Sequence, residues 1–174
     1  MCVERQHTES EMKVSDEEVW SNFKTSIDYF SRIDFLKPEF KREVIDAGKT
    51  LIYARDNLIQ LERKFEYYEE NKEKLTVEQL ENLRYEITHV LEHIWARMED
   101  VDYFMQKLST MDWKDGIRKS LSGDPELLEE VIRYLDVIKR KYEILYEIIQ
   151  IREKHIRESL LFLDLEIMMK MEKR

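Results

Sequence analysis

Through the middle of this chain apolar residues recur at alternating spacings of four and three: Phe40, Val44, Ala47, Leu51, Ala54, Leu58, Leu61, Phe65 and Tyr68. A straight α-helix drifts off a seven-residue repeat by about 20° per heptad, so a chain that keeps the repeat winds its helix around a neighbour. The stripe predicts a long helix over 38–74. A second stripe, through Leu80, Leu83, Ile87, Val90, Ile94, Arg97, Val101, Phe104 and Leu108, predicts another over 77–109, with Leu91, Met98 and Met105 widening it. A third runs from Leu128 through Val131, Leu135, Ile138, Tyr142, Leu145, Ile149, Arg152 and Ile156. It then slips one residue out of register and continues through Leu160, Leu163, Ile167 and Met171, predicting a helix over 125–172. Val19, Trp20, Phe23, Ile27 and Phe30 mark a shorter helix over 16–33.

The punctuation between these stripes agrees with them. Ser15-Asp16-Glu17-Glu18 and Thr76-Val77-Glu78-Gln79 have the capping-box pattern, in which the Ser or Thr oxygen and the fourth side chain satisfy each other's orphan amides. Pro38 suits a first helical turn, and Asp124-Pro125 reads as an N-cap followed by a first-turn proline. Residues 110–124 form a looser connection with a short helix around Lys114 to Leu121. Met1 to Val14 is polar and reads as a flexible tail, leaving residues 15–174 as one domain. The turn before Thr76 is so short that the helices on either side must be antiparallel. The fold class that follows is all-α: an elongated antiparallel helical bundle with three long heptad-patterned helices and a shorter N-terminal one.

Lengths then matter. At about 1.5 Å per residue, the second and third helices are each about 50 Å long and the last about 70 Å. If the last helix starts level with the end of the third and runs back along it, it passes the tight turn at about residue 158, level with Gln79 near His155. The remainder, Leu160, Leu161, Phe162, Leu163, Leu165, Ile167, Met168, Met169 and Met171, would overhang with apolar side chains on nearly every side. Apolar surface left in water is unfavourable by about 25 cal/mol per Å² and invites association. A partner protein or a second copy would cover it; the plainer alternative is a kink near the phase slip that returns the segment to the core.

Composition narrows the classes. Of 174 residues 39% are charged and 43% apolar, and only three are Gly and two Pro, which suits few long elements and excludes a disordered chain. The formal charge of −9 disfavours general nucleic-acid binding, and Lys139-Arg140-Lys141 fan around a helix instead of lining one stripe. Abundant Lys, Arg and Glu with scarce Asn and Gln is the bias of proteins from hot environments. Cys2 is the single cysteine, so no intrachain disulfide is expected. No secretory or transmembrane segment is evident, and the expectation is an acidic protein of the cytoplasm that carries no cofactor.

Three short motifs invite chemistry. His89-Val90-Leu91-Glu92-His93 matches the H-x-x-E-H order of inverted zinc peptidases, yet no strand pattern or third ligand accompanies it. Glu86-Ile87-Thr88-His89 matches the Glu-x-x-His element of di-iron bundles, which need it on two helices, and here it occurs once. Arg84 followed five residues later by His89 resembles the Arg-x4-His element of the HEPN ribonucleases, small all-helical dimers, although Tyr85 stands where that family usually has a polar residue. That resemblance implies a metal-independent ribonuclease in which Arg84 binds phosphate and His89 handles the proton of a 2′-hydroxyl.

Other residues are structural in this reading. Arg97 and Arg152 occupy stripe positions, and pairing about the tight turn sets Ala54 opposite Arg97, the arrangement of a register-fixing polar point. Trp113 caps the open end of the bundle, while Tyr85, Trp95 and Tyr103 lie off the stripe. The expected function is a non-enzymatic interaction or scaffolding module that self-associates or binds a partner protein through Leu160 to Met171, with the ribonuclease as the alternative.

Overall fold

The computed structural model describes residues 2–32, 38–110 and 113–173. The chain is all-α, a helical bundle of α1 (Cys2–Ser31), α2 (Pro38–Asn71), α3 (Val77–Thr110), α4 (Trp113–Ser120) and α5 (Pro125–Glu172). α1 begins ahead of the Ser15 capping box; no Gly or Pro between Cys2 and Ser31 interrupts it. The segment from Ile33 to Lys37, where the first helix was expected to end, lies outside the described residues. The other boundaries follow the local chemistry. Gln79 N–H donates to Thr76 Oγ1 at 3.2 Å while Thr76 N–H donates to Gln79 Oε1 at 2.9 Å, the reciprocal capping box. Asp124 Oδ1 accepts from Leu127 N–H at 3.2 Å and Pro125 opens α5.

Two compact units divide the chain, Met1–Gly48 with Lys107–Leu145 and Lys49–Gln106 with Tyr146–Arg174, so α2, α3 and α5 each supply both. In the first unit, Trp20, Phe23 and Phe30 of α1 are essentially buried, and Phe23 meets Tyr142 of α5 edge-on at 4.9 Å. Tyr134 Oη donates to the Ser26 carbonyl at 3.2 Å and Lys141 Nζ to Ser26 Oγ at 2.8 Å, and since Tyr29 meets Tyr134 at 5.3 Å while Phe23 meets Tyr142, α1 runs antiparallel to α5. The Tyr142 ring is fully buried; its hydroxyl donates to the Val44 carbonyl and accepts from the Gly48 amide. Burial pushes this phenol above the ordinary tyrosine range and keeps it a donor. Since Tyr142 lies level with Val44, the stretch of α5 before Asp136 precedes the level of Pro38. α4 packs against that stretch, with Lys114 Nζ 2.9 Å from Asp136 and Ile117 buried.

In the second unit the stripe of α2 is buried at Leu51, Ala54, Leu58, Leu61, Phe65 and Tyr68. Lys64 pairs with Glu86 at 2.7 Å and the Arg97 guanidinium lies 4.0 Å over the Tyr53 ring, fixing α2 and α3 in the register expected from their short turn. On α3 the core passes through Ile87, Leu91, Ile94, Met98 and Val101, whereas Val90 and Arg97 move to the flank. Leu91 and Met98 share a helical face with Arg84, which pairs with Asp164 of α5, so α5 covers that face. α5 continues unbroken through the phase slip, burying Ile149, Ile156, Leu163 and Ile167. An apolar spacing of four followed by four is the local signature of a straighter helix, so no kink is needed.

One position in the first unit has no room for a side chain unless its neighbours shift. A Cβ on Gly48 would stand 2.3 Å from Ile27 Cδ1 and 2.7 Å from Tyr142 Oη, closer than real Cβ contacts allow. Glycine inside a helix ordinarily costs about 1 kcal/mol relative to alanine, so here close approach outweighs propensity. Gly48→Ala is expected to lower stability by about 1–3 kcal/mol in chemical denaturation, the size of an overpacked core. Ile27→Val, which removes Cδ1, should recover part of that loss in the double variant; strictly additive losses would show that the clash is not the cause.

Candidate functional site

The segment expected to overhang does not overhang. Asp164 pairs with Arg84, and Lys170 Nζ donates to the carbonyls of Lys72 and, at 2.7 Å, Leu75, so α5 reaches the α2–α3 turn near residue 170 and not near 158. The slide is about 20 Å at 1.5 Å per residue. Leu163 and Ile167 are therefore core and Leu160 is half-buried, a correction to their place in the contact surface. Leu161, Phe162, Leu165, Met168, Met169 and Met171 are 53–69% exposed.

Those exposed residues belong to a second seam. Ile151, His155, Glu158, Phe162, Leu165, Met169 and Glu172 alternate spacings of four and three, and all are exposed. They run along α5 on a face other than the one that buries Ile149, Ile156, Leu163 and Ile167. Leu161 and Met168 widen the strip on one side. On the other, α2 and α5 bound an open groove of about 450 Å³ whose base includes Phe65 and Ile156 and whose rim includes Phe162. Its α2 wall is acidic, made by Glu62, Glu66, Glu69 and Glu70. Both seams are written in the spacing of α5; a reading that allows one stripe per helix finds only the first.

The residues of the ribonuclease resemblance stand apart in their contacts. Arg84 Nε donates to Asp164 Oδ1, whereas His89 stacks on Tyr85 at 6.0 Å and meets His93 edge-on at 4.6 Å along α3. His155 lies level with His93, not with Gln79 as expected, because of the slide of α5. It borders the acidic groove, with Glu158 Oε2 3.7 Å away. Among the described residues no three or more His, Cys, Asp or Glu side chains gather as a metal ion would require. No helix among them is long and apolar enough to cross a membrane. Of the remaining candidates, Trp95, Tyr85 and Tyr103 are exposed, and the side chain of Trp113 lies outside the described residues.

One carboxylate is poorly housed. Asp102 has a buried Oδ1 without a hydrogen-bond partner, and burial, then Glu153, then Glu99 raise its pKa above the ordinary aspartate range. A carboxyl whose folded pKa exceeds its unfolded value opposes folding when ionised, and the penalty disappears once pH falls below the unfolded value near 4, about where model aspartates titrate. Known proteins offer no likeness for any of these features: no family model, curated protein or solved structure matches the chain. Asp102→Asn is expected to raise stability against denaturant at neutral pH and to leave it unchanged near pH 3, a range below the ordinary aspartate value. A neutral-pH loss in the variant would mean that ionised Asp102 is used after all.

Proposed function

We propose that this protein is a non-enzymatic helical interaction module that docks a helix of another protein along the outward seam of α5. The observation that carries this reading is the seam itself: a helix already buried on one face has Phe162, Leu165 and Met169 at 4-3 spacing, each 54–69% exposed, with exposed Ile151 further back on the same face beyond His155 and Glu158. Scattered exposed apolar residues are normal on any surface, but exposed apolar residues at the period of a packed helix pair are what a partner helix needs. The contact free energy comes from removing this strip from water, at about 25 cal/mol per Å². Leu163 and Ile167 are core, so truncating the chain after Glu158 would unfold as well as unmask; surface substitutions are the sound test.

The probe is a stapled helical peptide of about three heptads, with leucine on one 4-3 seam and glutamine elsewhere, titrated by fluorescence anisotropy. Wild-type protein is expected to bind it, and Phe162→Ser/Leu165→Ser to bind at least about tenfold more weakly, a loss of about 1.4 kcal/mol or more. Unchanged circular dichroism and melting of the variant certify its fold. Absence of binding to the wild type, or equal binding by the variant, overturns the reading.

A further inference from the structure

Resting on that reading, we infer that the docked helix is basic and amphipathic, with apolar residues on the α5 seam and a row of Lys or Arg along its edge facing α2. The groove beside the seam supplies the reason. Glu62, Glu66 and Glu69 themselves alternate four and three along α2, with Glu70 beside them, and the residues lining the groove include no lysine or arginine. Glu69 lies 3.4 Å from Lys72, whereas Glu62, Glu66 and Glu70 make no ion pair or hydrogen bond among the described residues. Burial, then Glu166 from α5, then Glu69 raise the pKa of the neighbouring Tyr68.

Unneutralised carboxylates bordering an exposed apolar strip select what covers it. In packed helices the charges flanking an apolar seam decide which partner is accepted, because like charges brought into a drier contact repel and opposite ones attract. A row of carboxylates at 4-3 spacing matches cations at 4-3 spacing on a helix lying alongside. A second copy of this chain, joined about a two-fold axis, would bring its own glutamates into the same interface and add like charge to it. Phosphate backbones and anionic lipid surfaces meet the same repulsion. The net charge of −9 adds steering for a cationic partner.

Three stapled peptides that share one leucine seam and carry Lys, Gln or Glu at the flanking positions test this by anisotropy. At about 0.1 M salt the Lys peptide is expected to bind at least about tenfold more tightly than the Glu peptide, with the Gln peptide between them. Near 1 M salt, where the screening length is about 3 Å, the gap should collapse. Glu62→Gln/Glu66→Gln/Glu69→Gln should erase the Lys preference while binding the Gln peptide as before, which also certifies its fold. Equal binding of all three peptides overturns the basic partner and leaves the interaction module standing, whereas no binding of any peptide removes both. A dimer by light scattering that Phe162→Ser/Leu165→Ser dissolves would name a second copy as the occupant and overturn the inference. Cosedimentation with phosphatidylcholine vesicles, lost in that variant, would overturn it in favour of a membrane surface.

Discussion

α5 is apolar on two faces, and the neighbours it has in residues 49–106 cover one of them. That constraint organises the second unit. A helix that buries Ile149, Ile156, Leu163 and Ile167 against α2 and α3 must present the residues between them elsewhere, and from Leu161 onward those include Leu161, Phe162, Leu165, Met168 and Met169. Ordinary amphipathic helices avoid the problem by making the second face polar. Here the seam is polar at His155 and Glu158, which interrupt it after Ile151, and at Glu172. The acidic groove lies beside Phe162, where the strip resumes, so apolar surface and unneutralised charge adjoin.

A different solution holds the first unit. There the helices must approach closely enough for Tyr142 to insert its ring, fully buried, between α1 and α2. Gly48 leaves the space, and the phenol uses it to bond the backbone of the α2 turn that the glycine opens. A hydroxyl buried without a partner would cost about 1–3 kcal/mol, so the pairing with Val44 and Gly48 is what makes a tyrosine tolerable at a core position. The same logic, failed, appears at Asp102, whose Oδ1 is buried with no donor.

Much of the fold was legible because it rests on local rules. The Thr76 and Gln79 side chains cap α3 as their spacing requires, Asp124 caps α5, and the α2–α3 register follows from a turn too short to allow another. The pairing of Lys64 with Glu86 shows that register directly. On α3 the stripe was legible but its centre was not. Leu91 and Met98 looked like a widening and are core, because α5 covers the face they share with Arg84. Of the segment from Leu160 to Met171, Leu161, Phe162, Leu165, Met168, Met169 and Met171 are exposed, whereas Leu163 and Ile167 are buried in the core. The acidic wall was not anticipated, since Glu62, Glu66 and Glu69 gain meaning only from the α5 residues across the groove.

What the sequence determined by itself is the long helices α2, α3 and α5, the caps of α3 and α5, and the antiparallel hairpin of α2 and α3. Those depend on periodicity and on groups within a few residues of one another. α1 begins at Cys2, not after the Ser15 capping box, so the polar stretch read as a tail is helical. What only the tertiary structure decided is how far α5 slides along that hairpin. The pairs Arg84–Asp164 and Lys170–Leu75 record it between residues far apart in the chain. A helix repeats its surface every turn, so its own pattern is compatible with several axial positions, and each assigns different residues to the core. The observed position buries Leu163 and Ile167 and leaves Phe162 and Leu165 outside, which is why the surface with functional promise could be narrowed to a segment by pattern but to individual side chains only by packing.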